Sequence, residues 1–185
     1  AGDGLLIRVA GKGTFVAPQK INAGSPVYKG IREQLEVLGY DTATTLISTE
    51  RVPAPTRVRE HLNLPAGAEV IAVIRLRTVD GKPLSVHRSF VPASLAPGLD
   101  QLDVVNEQLC VVLEDKFNLS MKSVSEDLEV IVAEGTDAKL LELRKGDPAL
   151  LLTDVITNPA GTAFEYSTIV FRGDTVRLKF DYKRE

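Results

Sequence analysis

Residues 69–91, EVIAVIRLRTVDGKPLSVHRSFV, hold two runs rich in apolar and β-branched residues, separated by Asp80-Gly81. An Asp-Gly pair between two such runs is typical of a tight two-residue turn. The stretch therefore predicts a β-hairpin with strands at residues 69–79 and 83–91.

Similar groups of strands are predicted at both ends of the chain. Residues 149–157, 163–172 and 175–181 are β-rich runs joined by short turns, which predicts an antiparallel meander. Residues 4–16 hold two apolar runs around a Gly-rich turn and predict a further hairpin. Since a lone hairpin is marginally stable in water, we expect its packing partner to lie in a missing segment upstream of Ala1.

Helices and two further strands are predicted between these groups. The expected helices lie at residues 26–38, 55–62, 105–117 and 136–143, with Ser25 and Thr136 as N-caps. One further strand is expected at residues 42–52. Residues 128–132 are expected to belong to another strand, whose start is placed near Leu119. Because paired hairpins dominate, the predicted class is α+β with an antiparallel sheet. We find no internal repeat with a period of about 20 to 50 residues.

Composition and charge indicate a globular protein that does not bind nucleic acid over its whole surface. The chain has 185 residues, 44% of them hydrophobic, and a formal net charge of −3. This length predicts one domain, or one domain and a fragment. Because the net charge is small and negative, any contact with DNA is expected to be local.

The counts of cysteine and histidine argue against disulfides and structural metals. Cys110 is the single cysteine and cannot form an internal disulfide, and two histidines do not complete a Cys/His zinc site with it. The sequence has no apolar run of membrane-spanning length and no signal-peptide pattern. We therefore expect a cytoplasmic protein with no metal, no cofactor and no membrane contact.

Motifs of the common catalytic classes are missing from the sequence. It holds no Gly-x-Ser-x-Gly, His-Glu-x-x-His or phosphate-loop pattern, and His61 lies on a polar predicted helix. Cys110 lies among apolar residues, so a small buried apolar side chain is the first interpretation and a ligand-facing thiol the second. No catalytic residue is predicted.

Three charged residues on predicted strands are candidates for binding. Arg75 and Arg77 stand two positions apart, so their side chains share one face of the strand, where two guanidinium groups suit a carboxylate or phosphate. Glu165 lies on a later strand that could face the same cavity. The alternative for all three is a solvent-exposed face with ordinary ion pairs.

The sequence also resembles a family of bacterial transcription regulators. Residues 11–16, GKGTFV, resemble the end of the wing in the winged helix-turn-helix of GntR-type regulators. Residues 25–181 resemble the UTRA effector domain of the HutC subfamily through a series of short segments in matching order: VPA at 52–54, LNL at 62–64, VIRLRTVDGKPL at 73–84, LEDKF at 113–117, GDPAL at 146–150, FEY at 164–166 and FRGD at 171–174.

The resemblance implies a domain organisation and partners. Residues 1–17 would be the remnant of the wing, residues 18–25 a linker, and residues 26–185 the UTRA effector-binding and dimerisation domain. The implied fold is chorismate-lyase-like, with an allosteric pocket, in a homodimer that spaces two DNA-reading heads. Operator DNA is the implied macromolecular partner, and the wing residues Lys12, Gly13 and Thr14 are the predicted DNA contacts.

The resemblance also implies a set of ligand-binding residues. Arg75 and Arg77 hold the positions that bind the anionic group in sugar-phosphate-sensing relatives, and Glu165 holds the position that contacts sugar hydroxyls. The remaining predicted ligand positions depart from the family pattern: His87, Gln108, Cys110 and Phe171. Because these departures remove up to three hydroxyl donors, the expected effector is a small anionic metabolite with no closer definition.

The predicted function is a ligand-responsive transcription regulator, of the repressor kind, whose DNA binding the effector controls. One alternative is a chorismate-lyase-like enzyme, which would also need two arginines for carboxylates and an acid such as Glu165. The other is a plain dimerisation module with a vestigial pocket, which would explain the departures from the family pattern.

Overall fold

The computed structural model describes residues 6–9, 11–16, 20–23, 31–37, 39–105 and 107–178. Within these ranges the strands are β1 (Leu6–Val9), β2 (Gly13–Val16), β3 (Ile21–Ala23), β4 (Thr42–Pro53), β5 (Glu69–Val79), β6 (Lys82–Pro92), β7 (Ser123–Val132), β8 (Pro148–Thr157), β9 (Ala163–Arg172) and β10 (Val176–Leu178). The helices are α1 (Ile31–Val37), α2 (Thr56–His61), α3 (Leu109–Phe117) and α4 (Gly135–Leu140), with a short 3₁₀ helix at Leu99–Gln101. The predicted cap Ser25 and the predicted strand end at residues 179–181 lie outside the described residues.

A six-stranded antiparallel sheet forms the centre of the fold, with the strand order β4-β5-β6-β9-β8-β7. The hairpin predicted from residues 69–91 is its β5–β6 pair. Asp80 and Gly81 at the turn have φ values of 50° and 73°, as a tight hairpin turn requires. The predicted α+β class with an antiparallel sheet is confirmed.

The sheet consists of two similar halves, β4-α2-β5-β6 and β7-α4-β8-β9, with β6 and β9 meeting in the middle. Leu62 and Leu141 follow α2 and α4 with nearly the same backbone angles, φ −93° and ψ 2° against φ −90° and ψ 2°. The next residues, Asn63 and Glu142, both have a φ of 52°. These pairs stand 79 positions apart, so the two halves repeat with a period longer than 50 residues.

Different helices cover the two faces of the sheet. On one face, an apolar cluster containing Leu62 and Tyr166 lies under α2, and one containing Leu141 and Val170 lies next to α4. We call the opposite face the band face, because a band of buried polar side chains crosses it. At one end of the band face, residues of α3 such as Val112 pack with β5 and β8, which we call the α3 cluster.

The other end of the band face holds a second apolar cluster. Leu35 of α1 packs there with Leu152 and Phe171, and Ile21 of β3 belongs to the same group, which we call the α1 cluster. The two clusters leave the middle of the band face between them. That middle is where the candidate site lies.

The C-terminal strands do not form the predicted three-stranded meander. β8 and β9 pair as expected, but β10 leaves the sheet and pairs in parallel with β3, with Val176 opposite Ile21. β3 lies within residues 18–25, the predicted linker, and Ile21 is buried in the α1 cluster. This pairing brings together segments far apart in sequence, which local patterns of apolar residues do not reveal.

Two predicted helix starts are wrong. α3 begins at Leu109, not at Val105, because the Asp103 carboxylate accepts a hydrogen bond from the Val105 amide at 2.9 Å and fixes a turn there. Thr136 is not the cap of α4: the helix begins at Gly135, and Glu134 occupies the cap position.

The predicted N-terminal hairpin is confirmed as the antiparallel β1–β2 pair.

We expect Gly173→Ala to destabilise the fold. A Cβ at position 173 would lie 2.6 Å from the backbone oxygen of Pro148, so the turn after β9 would have to move away from the start of β8. The expected loss in the free energy of unfolding is about 1–3 kcal/mol, measured by urea denaturation.

Asp174→Ala is the control at the neighbouring position. It removes an ion pair with Arg172 in which the aspartate side chain is 58% exposed, so the loss should be smaller, below about 1 kcal/mol. Equal losses in the two variants would contradict the close approach of Gly173 to Pro148 as the cause.

Candidate functional site

A band of buried polar side chains crosses the band face between the α1 cluster and the α3 cluster. We call it the polar band, and it is formed by residues of β5, β6, β8 and β9 that are each at most 9% exposed: Arg75, Arg77, Ser85, His87, Ser89, Asp154, Glu165 and Ser167. Alternation along the strands places these side chains on one face. Burying so many polar groups is costly unless they find partners.

Arg75 and Arg77 form the basic end of the polar band. They are 4% and 9% exposed, so the alternative of a solvent-exposed strand face is wrong for both. Arg75 Nη1 donates to the carbonyl oxygen of Val104 at 3.2 Å. Arg75 Nε is buried and has no hydrogen-bond partner in the part of the chain that is described. Burial lowers the pKa of Arg75, while Glu165 and Cys110 nearby act in the opposite direction.

His87 of β6 lies directly opposite Arg75 in the sheet register. Its Nε2 and the Ser85 hydroxyl are 2.9 Å apart and share a hydrogen bond. Burial, and then the positive charges of Arg77 and Arg75, hold the pKa of His87 well below its ordinary value. The imidazole is therefore neutral at physiological pH and can either donate or accept one further hydrogen bond.

Glu165 of β9 carries a carboxylate into the same band and is 5% exposed. Burial raises its pKa, whereas a hydrogen bond from Ser89 and the charge of Arg75 lower it. Arg75 and Glu165 thus influence each other across the band, as the prediction of a shared cavity requires. The alternative of a surface carboxylate is wrong for Glu165.

Gln108 and Cys110 lie at the start of α3. Gln108 occupies the cap position before Leu109. The Cys110 Sγ atom lies 3.7 Å from Oε1 of Gln108. Cys110 is exposed, so its interpretation as a small buried side chain is wrong. Desolvation and the charge of Glu165 raise the pKa of the Cys110 thiol, and Arg75 lowers it. Cys110 therefore lies close enough to feel the charges of the polar band while remaining open to solvent.

The remaining predicted residues are Phe171, at the border of the polar band, and three residues of the N-terminal hairpin. Phe171 is fully buried in the α1 cluster, where its ring lies edge-on to His87 at 6.2 Å between ring centres. In the sheet register Phe171 lies opposite Ser85 and so borders the polar band. Lys12, Gly13 and Thr14 are exposed at the turn and in β2 of the N-terminal hairpin.

Asp154 of β8 is a band residue that the sequence analysis missed. Its Oδ2 accepts a hydrogen bond from the Ser167 hydroxyl at 3.0 Å. Its Oδ1 is buried and has no hydrogen-bond partner among the described residues. The pKa of Asp154 is raised to about 7, chiefly by burial; the hydrogen bond from Ser167 acts in the opposite direction, and the charges of Glu126 and Glu165 add to the rise. The sequence signal that could have revealed it is an aspartate inside the apolar run at residues 149–156.

The polar band has the chemistry of a binding site. It offers guanidinium donors at one end, carboxylate acceptors at the other, and serine hydroxyls with a neutral imidazole between them. Among the described residues no group of three or more His, Cys, Asp or Glu side chains could hold a metal ion. Arg75 and Asp154 each keep one buried polar atom for which a small molecule could supply a partner.

Comparison with known proteins assigns the family. Residues 37–177 match the UTRA domain family. This range contains the whole six-stranded sheet and every residue of the polar band. The chain belongs to the UTRA domain family.

Similar proteins are regulators of transcription. The chain is 28% identical over 182 residues to the "probable fructoselysine utilization operon transcriptional repressor" of Shigella flexneri, covering 98% of this chain and 74% of that protein. It is 25% identical over 172 residues to the transcriptional repressor NagR of Bacillus subtilis, covering 93% of this chain and 70% of NagR. The crystal structure of PhnF from Mycobacterium smegmatis superposes with a TM-score of 0.85 at 21% identity, over 99% of this chain and 80% of PhnF.

These comparisons confirm that the chain is a UTRA domain of a GntR-type, ligand-responsive transcription regulator with a chorismate-lyase-like fold. The two curated relatives are named as transcription repressors. The boundaries at residues 17, 25 and 26 and the HutC subfamily stay predictions. In the described part of the chain no helix is long and apolar enough to cross a membrane.

We expect Asp154→Asn to stabilise the protein in a pH-dependent way. The raised pKa of Asp154, about 7, means that the folded protein keeps a proton that the unfolded chain releases from about pH 4 upward. Asp154 therefore costs stability as the pH rises through this window, and the neutral asparagine avoids that cost. The gain should grow from near zero at about pH 4 to at most about 4 kcal/mol at about pH 8, measured by urea denaturation.

Asp127→Asn provides the matched control on the adjacent strand β7. Asp127 is exposed and lies opposite Thr153, so its replacement should change stability little at either pH. A gain at Asp154 that did not vary with pH would argue against its burial as the origin of the effect.

Proposed function

We propose that this chain is the effector-sensing part of a bacterial transcription repressor and that the polar band binds a small anionic metabolite. The observation that carries the proposal is the buried pair Arg75 and Arg77, with Arg75 Nε left without a hydrogen-bond partner in the described part of the chain. A buried guanidinium in this state is costly to the free protein. An anionic group bound there would supply the missing acceptor and a countercharge.

The chemistry of guanidinium groups favours a carboxylate or phosphate as the group bound. Arginine presents several N–H donors in a fixed fork, which matches the oxygen atoms of these anions. His87 and Ser85 lie opposite the two arginines and offer further hydrogen bonds. The name of the Shigella relative refers to fructoselysine utilization, which agrees with a metabolite as the effector.

Effector binding is coupled to the rest of the domain through the segment before α3. Arg75 donates a hydrogen bond to the carbonyl oxygen of Val104. Gln108 and Cys110 lie a few residues later, at the start of α3. An anion that takes donors from Arg75 competes with Val104. The effector would then favour one position of this segment and of α3, and by linkage one arrangement of the DNA-binding heads.

DNA binding is assigned to the N-terminal hairpin and to a head that precedes it. The exposed Lys12, Gly13 and Thr14 would contact operator DNA, and the homodimer would place two heads on the operator. We propose cytoplasmic residence, as for a protein that acts on the chromosome. The charged groups of the polar band would serve binding and not catalysis.

A ligand screen tests the anion site. We expect thermal stabilisation by at least one compound in a panel of phosphorylated sugars, carboxylates, amino acids and phosphonates. An effector at about 100 times its dissociation constant adds about 2.7 kcal/mol to stability. The double variant Arg75→Met, Arg77→Met should lose this stabilisation.

Methionine is chosen because it replaces the buried arginines by side chains of similar length without charge. Because the double variant leaves the buried Glu165 carboxylate without the nearby charge of Arg75, we expect it to melt at a lower temperature than the wild type. The quantity compared is therefore the shift that each compound adds to each protein. A compound that stabilises the double variant as well as the wild type would place the anion site elsewhere.

The DNA contact is tested on the full-length gene product with a promoter fragment from its own upstream region. Lys12→Ala should weaken binding to all sequences to a similar degree and lower the salt dependence by about one phosphate contact. Lys122→Ala, a control at an exposed position before β7, should bind as the wild type does. Unchanged affinity and salt dependence in Lys12→Ala would exclude the wing contact.

A further inference from the structure

β3, which lies within the predicted linker, is held by β10 and by the turn before it. β3 pairs in parallel with β10, and the Ile21 amide donates to the carbonyl oxygen of Thr175 at 2.8 Å. Lys20 Nζ donates to the carbonyl oxygen of Gly173 at 2.6 Å. Ile21 is 6% exposed and Val176 is 1% exposed, and both belong to the α1 cluster. Part of the predicted linker is therefore packed on the effector domain.

The end of β9 and the turn after it carry these contacts, and we call this segment, residues 171–175, the joint. The Arg172 guanidinium donates two hydrogen bonds to the Asp174 carboxylate, at 3.1 and 2.8 Å. The Thr175 hydroxyl donates to the same carboxylate at 3.0 Å, and Arg172 Nη1 donates to the carbonyl oxygen of Leu141 at 2.8 Å. Because these bonds tie the joint to itself and to the end of α4, we expect its residues to move together.

The joint begins at the polar band. Phe171, its first residue, lies opposite Ser85 in the sheet register, and its ring lies edge-on to His87 at 6.2 Å between ring centres. Ser85 and His87 share a hydrogen bond, and Arg77 lies opposite Ser85 on the neighbouring strand. A ligand that takes hydrogen bonds from Ser85 or His87 therefore changes the surface against which Phe171 packs.

The pairing of β3 with β10 is short enough to open. Each strand has three residues, and a pair of strands by itself is marginally stable in water. Opening would expose Ile21 but leave the six strands of the central sheet paired. The cost is then that of a local event, well below the cost of unfolding the domain.

We propose that the joint couples the polar band to the DNA-binding head by holding or releasing β3. This inference rests on the proposed function. Val16 ends β2 and precedes Ile21 by five positions, so the two residues lie within roughly 18 Å of each other. A docked β3 confines the wing and the head near the effector domain, and a released β3 lets them take other positions. An effector bound at the basic end of the polar band sets the balance through Phe171.

A reversible disulfide tests the docked state. Asn22 and Arg177 are exposed and lie opposite each other in β3 and β10. Asn22→Cys and Arg177→Cys are introduced together into the full-length gene product with Cys110→Ser, which removes the native thiol. Affinity for the promoter fragment is measured with the disulfide oxidised and reduced. Cys110→Ser alone, under the same two conditions, is the control and should show no difference between them.

Ile21→Ser tests the released state, because it removes the apolar contact of β3 with the α1 cluster. Asn22→Ser, at the exposed neighbouring position, is its control and should bind the promoter fragment as the wild type does. Thermal unfolding checks that the sheet is intact in both variants. If Ile21→Ser unfolds the domain, Lys20→Ala replaces it, since that change removes only the bond to Gly173.

We expect oxidation of the disulfide to change the affinity for the promoter fragment by about fivefold or more in one direction. Ile21→Ser should change it in the opposite direction. A change in only one of the two also supports the proposal, because the wild type then lies at the other end of the equilibrium. Unchanged affinity in both, changes in the same direction, or failure of the two thiols to cross-link would overturn it.

Hydrogen exchange of the β3 and β10 amides tests the connection to the polar band. Sulfate is the probe for the anion site, compared with chloride at equal ionic strength. It should change the exchange of these strands in the wild type and not in Arg75→Met, Arg77→Met. If sulfate stabilises the wild type against heat but leaves this exchange unchanged, the joint is not controlled by the band and the anion site stands. If sulfate stabilises both proteins equally, the anion site is wrong, and the promoter measurements alone decide whether β3 controls DNA binding.

Discussion

The burial of opposite charges in the middle of one sheet face is the constraint on which the rest of this structure depends. Arg75, Asp154 and Glu165 occupy positions where apolar side chains would give a more stable fold, because each loses its hydration. The domain can hold them because the α1 cluster and the α3 cluster pack on either side, and apolar clusters also fill the opposite face. The apolar clusters therefore offset the cost of burying the polar band, which does not itself stabilise the fold.

The duplicated arrangement explains how one backbone unit provides two kinds of binding position. Each half builds its helix end with the same backbone, as Asn63 and Glu142 show with a shared φ of 52°. Backbone geometry therefore fixes where the side chains of β5 and β8 emerge. The residue type then decides the chemistry, with arginine at position 75 and aspartate at position 154. The two halves are thus similar in backbone and different in charge at these positions.

Sequence patterns predicted the local features of this fold and missed those that depend on distant contacts. Alternation along a strand was enough to place Arg75 and Arg77 on one face, and Asp80-Gly81 was enough to predict the central hairpin. The pairing of β3 with β10 could not be predicted, because three-residue strands carry little pattern and their partners are far apart in sequence. Asp154 was missed for a related reason: its burial depends on which strands flank β8, and that is a property of the assembled sheet.

The unsatisfied atoms of the polar band connect binding to stability. A buried donor or acceptor without a partner costs about 1–3 kcal/mol, and Arg75 Nε and Asp154 Oδ1 are two such atoms in the described part of the chain. An effector that supplies both partners gains this free energy in addition to its own contacts. A substitution that removes one of these unpartnered atoms stabilises the free protein. It also removes the free energy that an effector would gain by pairing with that atom. Under the proposed function, the groups that would recognise the ligand are therefore the same groups that keep the free domain below its greatest stability.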